Sequence, residues 1–163
     1  MAVSDTDEPA HRDDYVDRIT LGRAVAAGVA GGAVFGVVIQ FGIGRMAAIG
    51  ALYTFGIPTV SVGWLAHMMH SVLFGVVFGM ATEVEPFHTW MEERLATAAL
   101  VGIGFGVLLY AVNIAFVWPF WLETVEFAPA ADWSIPYTPV RPLVGHLVFG
   151  VILGSSFHLL VDY

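Results

Sequence analysis

Apolar residues fill four long stretches of the chain, separated by shorter polar or mixed segments. These stretches contain a single charged residue, Arg23, which lies near the start of the first stretch. About 20 consecutive apolar residues cross the hydrocarbon core of a bilayer as a helix. The pattern therefore predicts an all-α membrane protein with four transmembrane helices, at about residues 21–43, 61–82, 95–118 and 143–161.

The remaining segments differ in character. Residues 1–18 are polar and acidic and lack the basic start and apolar core of a secretory signal, so we expect a disordered cytoplasmic tail. Residues 19–163 then form the four-helix transmembrane domain. The connection at residues 45–60 is too hydrophobic for a free loop, which predicts a position in the membrane interface.

Small residues recur at every fourth position along all four spans, forming a stripe on each predicted helix. Such stripes let helix backbones approach closely, the packing mode that replaces the hydrophobic effect inside lipid. The predicted packing residues are Gly28, Gly32, Gly36, Gly75, Gly79, Gly102, Gly106, Gly150 and Gly154.

The glycine register also suggests an internal repeat. Residues 74–79 align with residues 149–154, and Gly32 and Gly36 align with Gly102 and Gly106. The pattern predicts two duplicated helical hairpins related by an axis along the membrane normal.

Composition narrows the class further. The chain has fourteen Asp and Glu residues and six basic residues, all of them arginine, which gives a net charge of −8. This charge argues against nucleic acid as a partner. An acidic surface without lysine is typical of proteins in very high salt and indicates a halophilic archaeon. The chain has no cysteine, which excludes disulfides, cysteine-ligated zinc, iron–sulfur clusters and covalently attached haem.

Arginine placement predicts the orientation in the cell membrane. Arg12, Arg18, Arg23 and Arg94 flank one side of the spans, and Arg45 and Arg141 flank the other. By the positive-inside rule both termini are cytoplasmic.

Polar side chains within the spans gather toward the predicted outer end. His67 and His70 lie nearly one helical turn apart, and His146 on the fourth span aligns with Ser71, about one helical turn deeper than His67. Gln40 and Asn113 are their polar neighbours. Ionisable groups at membrane depth usually face a bundle interior or a wet cavity, so these histidines mark the candidate site.

Several chemistries fit such a site. Three imidazoles can ligate Cu or Zn, and histidines on facing helices can hold haem b. A proton or quinone role is a further interpretation. The alternative is ordinary polar packing, in which the histidines bond to each other, to the amides or to backbone.

Other chemistries are excluded by the residues present. Without lysine there is no Walker A loop and no Schiff-base site. No nucleophile, base and orienting acid share a recognisable spacing, so the chain is not expected to be an enzyme.

Residues 63–75, with Trp64, His67, His70 and Ser71, and residues 145–150, with His146, resemble a group of small four-span haloarchaeal membrane proteins. The label "histidine kinase" is sometimes attached to that group. The resemblance covers about residues 20–160 and implies the four-span fold and a membrane location, but no activity and no catalytic residues. Nothing in the chain supports a kinase, since it has no ATP-binding domain and no soluble phospho-acceptor helix.

Three functional hypotheses follow. The first is a non-catalytic membrane protein whose His-rich site near the outer face binds a metal ion or haem. The second is an accessory or assembly subunit that packs against a larger membrane complex. The third is a small transporter or channel working as a homo-oligomer. In each, the lipid bilayer is the immediate partner.

Overall fold

The computed structural model describes residues 10–130 and 133–160, with side chains from residue 20 onward. Within these ranges the chain forms helices and no strands. Four helical segments are long and apolar enough to cross a membrane, which confirms the predicted all-α fold. They are Thr20–Ile43, Val60–Thr82, Leu95–Thr124 and Val140–Leu159. The protein is thus a multi-pass membrane protein.

The helices follow one another with short connections. In chain order they are α1 (Ala10–Val37), which continues as a π-helix (Val38–Ile43), α2 (Met46–Ala51), α3 (Val60–Thr82), α4 (Phe87–Glu93), α5 (Leu95–Leu109), which continues as a second π-helix (Tyr110–Val117), α6 (Trp118–Thr124), a short 3₁₀ helix (Ala128–Ala130) and α7 (Val140–Leu159).

Helix ends differ from the predicted spans at several points. Residues 1–9 of the predicted tail lie outside the described residues, whereas helix α1 already begins at Ala10, and residue 161 of the fourth predicted span is likewise outside them. The third helical segment runs on to Thr124 rather than ending near residue 118. Hydropathy reports which residues suit lipid, but helical hydrogen bonding continues past the edge of the apolar stretch.

The four spans pack as two antiparallel pairs. Helix α3 packs on α1, α5 packs on α7, and α1 packs on α7 between the pairs. In the first pair, a Cβ added to Gly28 would lie 3.2 Å from the Cα of Gly75. In the second pair, a Cβ added to Gly102 would overlap the carbonyl oxygen of Gly150. Each pair is thus held at backbone-contact distance.

An added Cβ would meet another helix at all nine predicted packing glycines. An added Cβ on Gly28 would meet the carbonyl oxygen of Ser71 and the Cα of Gly75, as one on Gly106 would meet the carbonyl oxygen of His146 and the Cα of Gly150. By these contacts Gly28 matches Gly106, whereas the sequence alignment matches Gly36 with Gly106. Duplication itself stays a prediction.

The apolar connection at residues 45–60 contains helix α2, which lies against the start of α3. An added Cβ on Gly63 would overlap the carbonyl oxygen of Met46, so the two backbones touch. Beside it, buried side chains of α2, α6 and the following turn form a small apolar cap, which comprises Ala48, Ala51, Leu52, Leu122, Phe127 and Ala130.

Candidate functional site

A cavity of about 380 Å³ lies among the four spans at the end that carries this cap. We call this the cavity end; the opposite end holds α4 and the described ends of the chain. Phe35, Phe74, Leu109 and Phe149 form the apolar floor of the cavity, deepest along their helices. All four spans contribute to its wall, so it exists only when both hairpins are assembled.

Both π-helices lie where their helix borders the cavity. The first contributes Ile39 and Ile43 to the wall, and the second contributes Asn113, Ile114 and Val117. A π-helix is wider than an α-helix and changes which side chains face inward, and such segments are frequent at functional sites. The first π-helix ends where the backbone turns left-handed at a glycine.

His67 is buried beside the cavity, with only 6% of its surface exposed. Its Nε2 lies 2.9 Å from the carbonyl oxygen of Gly32, so Nε2 carries the hydrogen and donates it across the α1–α3 interface. Ser71 donates its hydroxyl hydrogen to the carbonyl of His67 at 2.8 Å. His67 therefore ties two helices together while its ring borders the cavity.

His146 is almost as buried, but its ring is held differently. Its Nδ1 donates to the carbonyl of Pro142 at 2.8 Å, one turn earlier in α7. In the neutral ring this leaves Nε2 as a hydrogen-bond acceptor. Tyr110 packs edge-on against the same ring, with centroids 5.9 Å apart, and donates its hydroxyl hydrogen to Pro139.

The ring of Phe35 packs edge-on against both buried imidazoles. Its centroid is 5.4 Å from that of His67 and 4.9 Å from that of His146. It fits there because Gly145 has no side chain; an added Cβ would overlap the phenyl ring.

The structure does not assemble the three predicted histidines into one metal-ligand set. Among the described side chains, those of residues 20–130 and 133–160, no three from His, Cys, Asp or Glu are placed to share a metal ion. His67 also commits its Nε2 to a backbone carbonyl rather than to a shared centre.

His70 is half-buried and lines the cavity from α3. Its Nε2 hydrogen-bonds to the hydroxyl of Tyr53, which follows α2 and is 43% exposed. Burial raises the pKa of Tyr53 above its ordinary value of 10.0. The His70–Tyr53 pair therefore connects the cavity wall to the protein surface.

The two predicted polar neighbours have different positions. Asn113 lines the cavity from the second π-helix. Gln40 is outside the lining, and its Oε1 is buried without a hydrogen-bond partner among the described residues.

Sequence reasoning missed several residues at the mouth of the cavity. Arg45 and Arg141 both line it, together with Trp118, Trp121 and Tyr137. The sequence uses both arginines only as markers of orientation. Their positions next to span ends on the same side of the membrane, Arg45 after the first predicted span and Arg141 before the fourth, are the signal that could have placed them at the cavity.

Comparisons of the chain with protein-family models, with curated proteins and with solved structures found no match. The resemblance to four-span haloarchaeal proteins therefore stays a prediction.

Proposed function

We propose that this protein is a non-catalytic membrane binding protein whose cavity takes a small, largely apolar molecule carrying a hydrogen-bonding group. It sits in the cell membrane with both termini cytoplasmic, so the cavity opens toward the outer face. The cavity among all four spans is the observation that carries the proposal. Binding sites of this kind are mostly apolar with a few placed polar groups.

The polar groups suit a hydrogen-bonding ligand. His146 keeps an acceptor nitrogen because its Nδ1 hydrogen is donated to the carbonyl of Pro142, and Asn113 lines the cavity from the second π-helix. Burying an imidazole or amide without a partner is costly, so a ligand that bonds to either group gains affinity. A metal ion or haem would need a shared set of ligands, which Phe35 and the His67–Gly32 bond oppose.

The test compares two neighbouring leucines of α5. Leu109 is 8% exposed and lines the cavity, whereas Leu108 is 56% exposed on the outside of the helix bundle. Leu109→Trp should fill the cavity and lower the amount of co-purified small molecule at least about tenfold, because a lost apolar pocket removes a few kcal/mol of burial. Leu108→Trp should leave it unchanged.

The measurement is mass spectrometry of organic extracts from protein purified in mild detergent, with a monodisperse elution profile as the folding control. Equal ligand content in both variants would contradict the proposal. Absorption spectra and metal analysis of the same samples test the alternative of a metal or haem site. A Soret band or stoichiometric copper or zinc, lost in the His67→Ala/His146→Ala variant, would establish a metal or haem site instead.

A further inference from the structure

Positive charge is concentrated at the mouth of the cavity. Among the residues that the structure describes, its lining includes two of the six arginines of the chain and no aspartate or glutamate. Elsewhere the balance is reversed, because the whole chain carries fourteen acids. A cationic mouth on an acidic protein favours an anion over a neutral or cationic ligand.

One of these arginines is held in place by aromatic rings. The guanidinium carbon of Arg45 lies 5.5 Å from the ring centroid of Trp133, within cation–π range. Trp133 in turn stacks on Tyr137, with centroids 4.6 Å apart and planes 3° from parallel. Since Tyr137 also lines the cavity, this stack positions the Arg45 charge at the mouth.

Arg141 belongs to the other hairpin. It lies in the first turn of α7, and His146 follows on the same helix, more than a turn deeper. The apolar floor, with Phe149, lies deeper still. From mouth to floor the wall thus changes from cationic through hydrogen-bonding to apolar.

We propose that the ligand is an anionic amphiphile, whose carboxylate or phosphate binds between Arg45 and Arg141 while its apolar chain extends past His146 to the floor. This inference rests on the proposed function and names the chemical class of its ligand. Guanidinium groups suit this role because they bind carboxylate and phosphate oxygens in a bidentate manner and are weakly hydrated.

The experiment uses the full chain in nanodiscs of zwitterionic lipid. Two photoreactive probes are compared, a diazirine-bearing decanoate and the corresponding decanol, with labelled peptides identified by mass spectrometry. We expect the acid to label the cavity wall saturably and with about tenfold higher affinity than the alcohol. The alcohol lacks the charge-assisted hydrogen bond that the carboxylate accepts, and losing one such bond lowers affinity by about this factor.

The arginines are tested with a matched control. The double variant Arg45→Gln/Arg141→Gln should abolish the preference for the acid, while Arg94→Gln, exposed at the opposite end, should keep it. The acid–alcohol comparison on the unmodified protein needs no variant, so it decides even if the double variant fails to fold.

The outcomes separate the two proposals. Equal, saturable cavity labelling by acid and alcohol would overturn the anionic ligand and leave the proposed function standing. Cavity labelling by neither probe would overturn both. Inorganic phosphate competing as well as unlabelled decanoate would show that the site recognises a free anion and would overturn the amphiphile.

Discussion

Phe35 shows how one apolar side chain sets the chemistry of its polar neighbours. Its ring contacts the imidazoles of both His67 and His146, and these two rings donate to backbone carbonyls of different helices. Each histidine is therefore satisfied within its own surroundings. The result is an available acceptor at His146 rather than a ligand set shared by the two rings.

At the same scale, the Tyr53–His70 pair predicts a pH effect on stability. Because burial raises the pKa of Tyr53, the folded state favours the protonated phenol. The stabilisation is then fully present below the ordinary tyrosine pKa of about 10 and is lost as the pH rises through the raised value. Unfolding measured between pH 8 and pH 12 should show this loss in the wild type and in Tyr137→Phe, and a smaller loss in Tyr53→Phe. Parallel curves for all three proteins would refute it.

At the scale of elements, the glycine stripes fix how closely the helices approach. Helix α5 offers a direct comparison, because Gly102 faces the backbone of Gly150 while an added Cβ on Gly104 would meet nothing within 4 Å. One helix thus carries both a glycine that packs against a neighbouring helix and a glycine on its open surface.

Gly102→Ala should therefore destabilise the protein by about 1–3 kcal/mol, the range for forcing extra atoms into a packed interface. Gly104→Ala should be neutral or stabilising by up to about 1 kcal/mol, since alanine favours helix more than glycine does. Denaturant titration in mixed micelles measures both values. A similar loss in the two variants would show that the backbone contact is not what holds α5 to α7.

At the scale of the whole molecule, four spans place both described chain ends on the side opposite the cavity. Because the chain has no cysteine, a single introduced cysteine is its only thiol, and labelling that thiol determines which side of the membrane it lies on. Ser61 is exposed at the cavity end, and Glu92 is exposed at the other end.

With the cavity facing outward, Ser61→Cys should react with a membrane-impermeant maleimide added to intact cells. Glu92→Cys should react only after lysis. The reverse pattern would place the cavity in the cytoplasm and contradict the positive-inside assignment.

Local features of the sequence were enough to predict the four spans and the glycine faces. A bilayer demands about 20 apolar residues per helix, and close packing demands small residues at helical spacing, so both leave periodic signals within one segment. The same reasoning placed His67, His70, His146 and Asn113 at one end of the bundle, because depth follows from position along a span.

Only the tertiary structure decided what those residues form. The cavity depends on how residues of four separate spans come together, as does the Phe35 ring packed against histidines of two other helices. The Tyr53–His70 pair and the arginines at the mouth have no periodic signal, because each depends on contacts between separate segments of the chain. Hydropathy determines which residues enter the membrane, whereas the shape of the space between helices is set by side-chain packing across them.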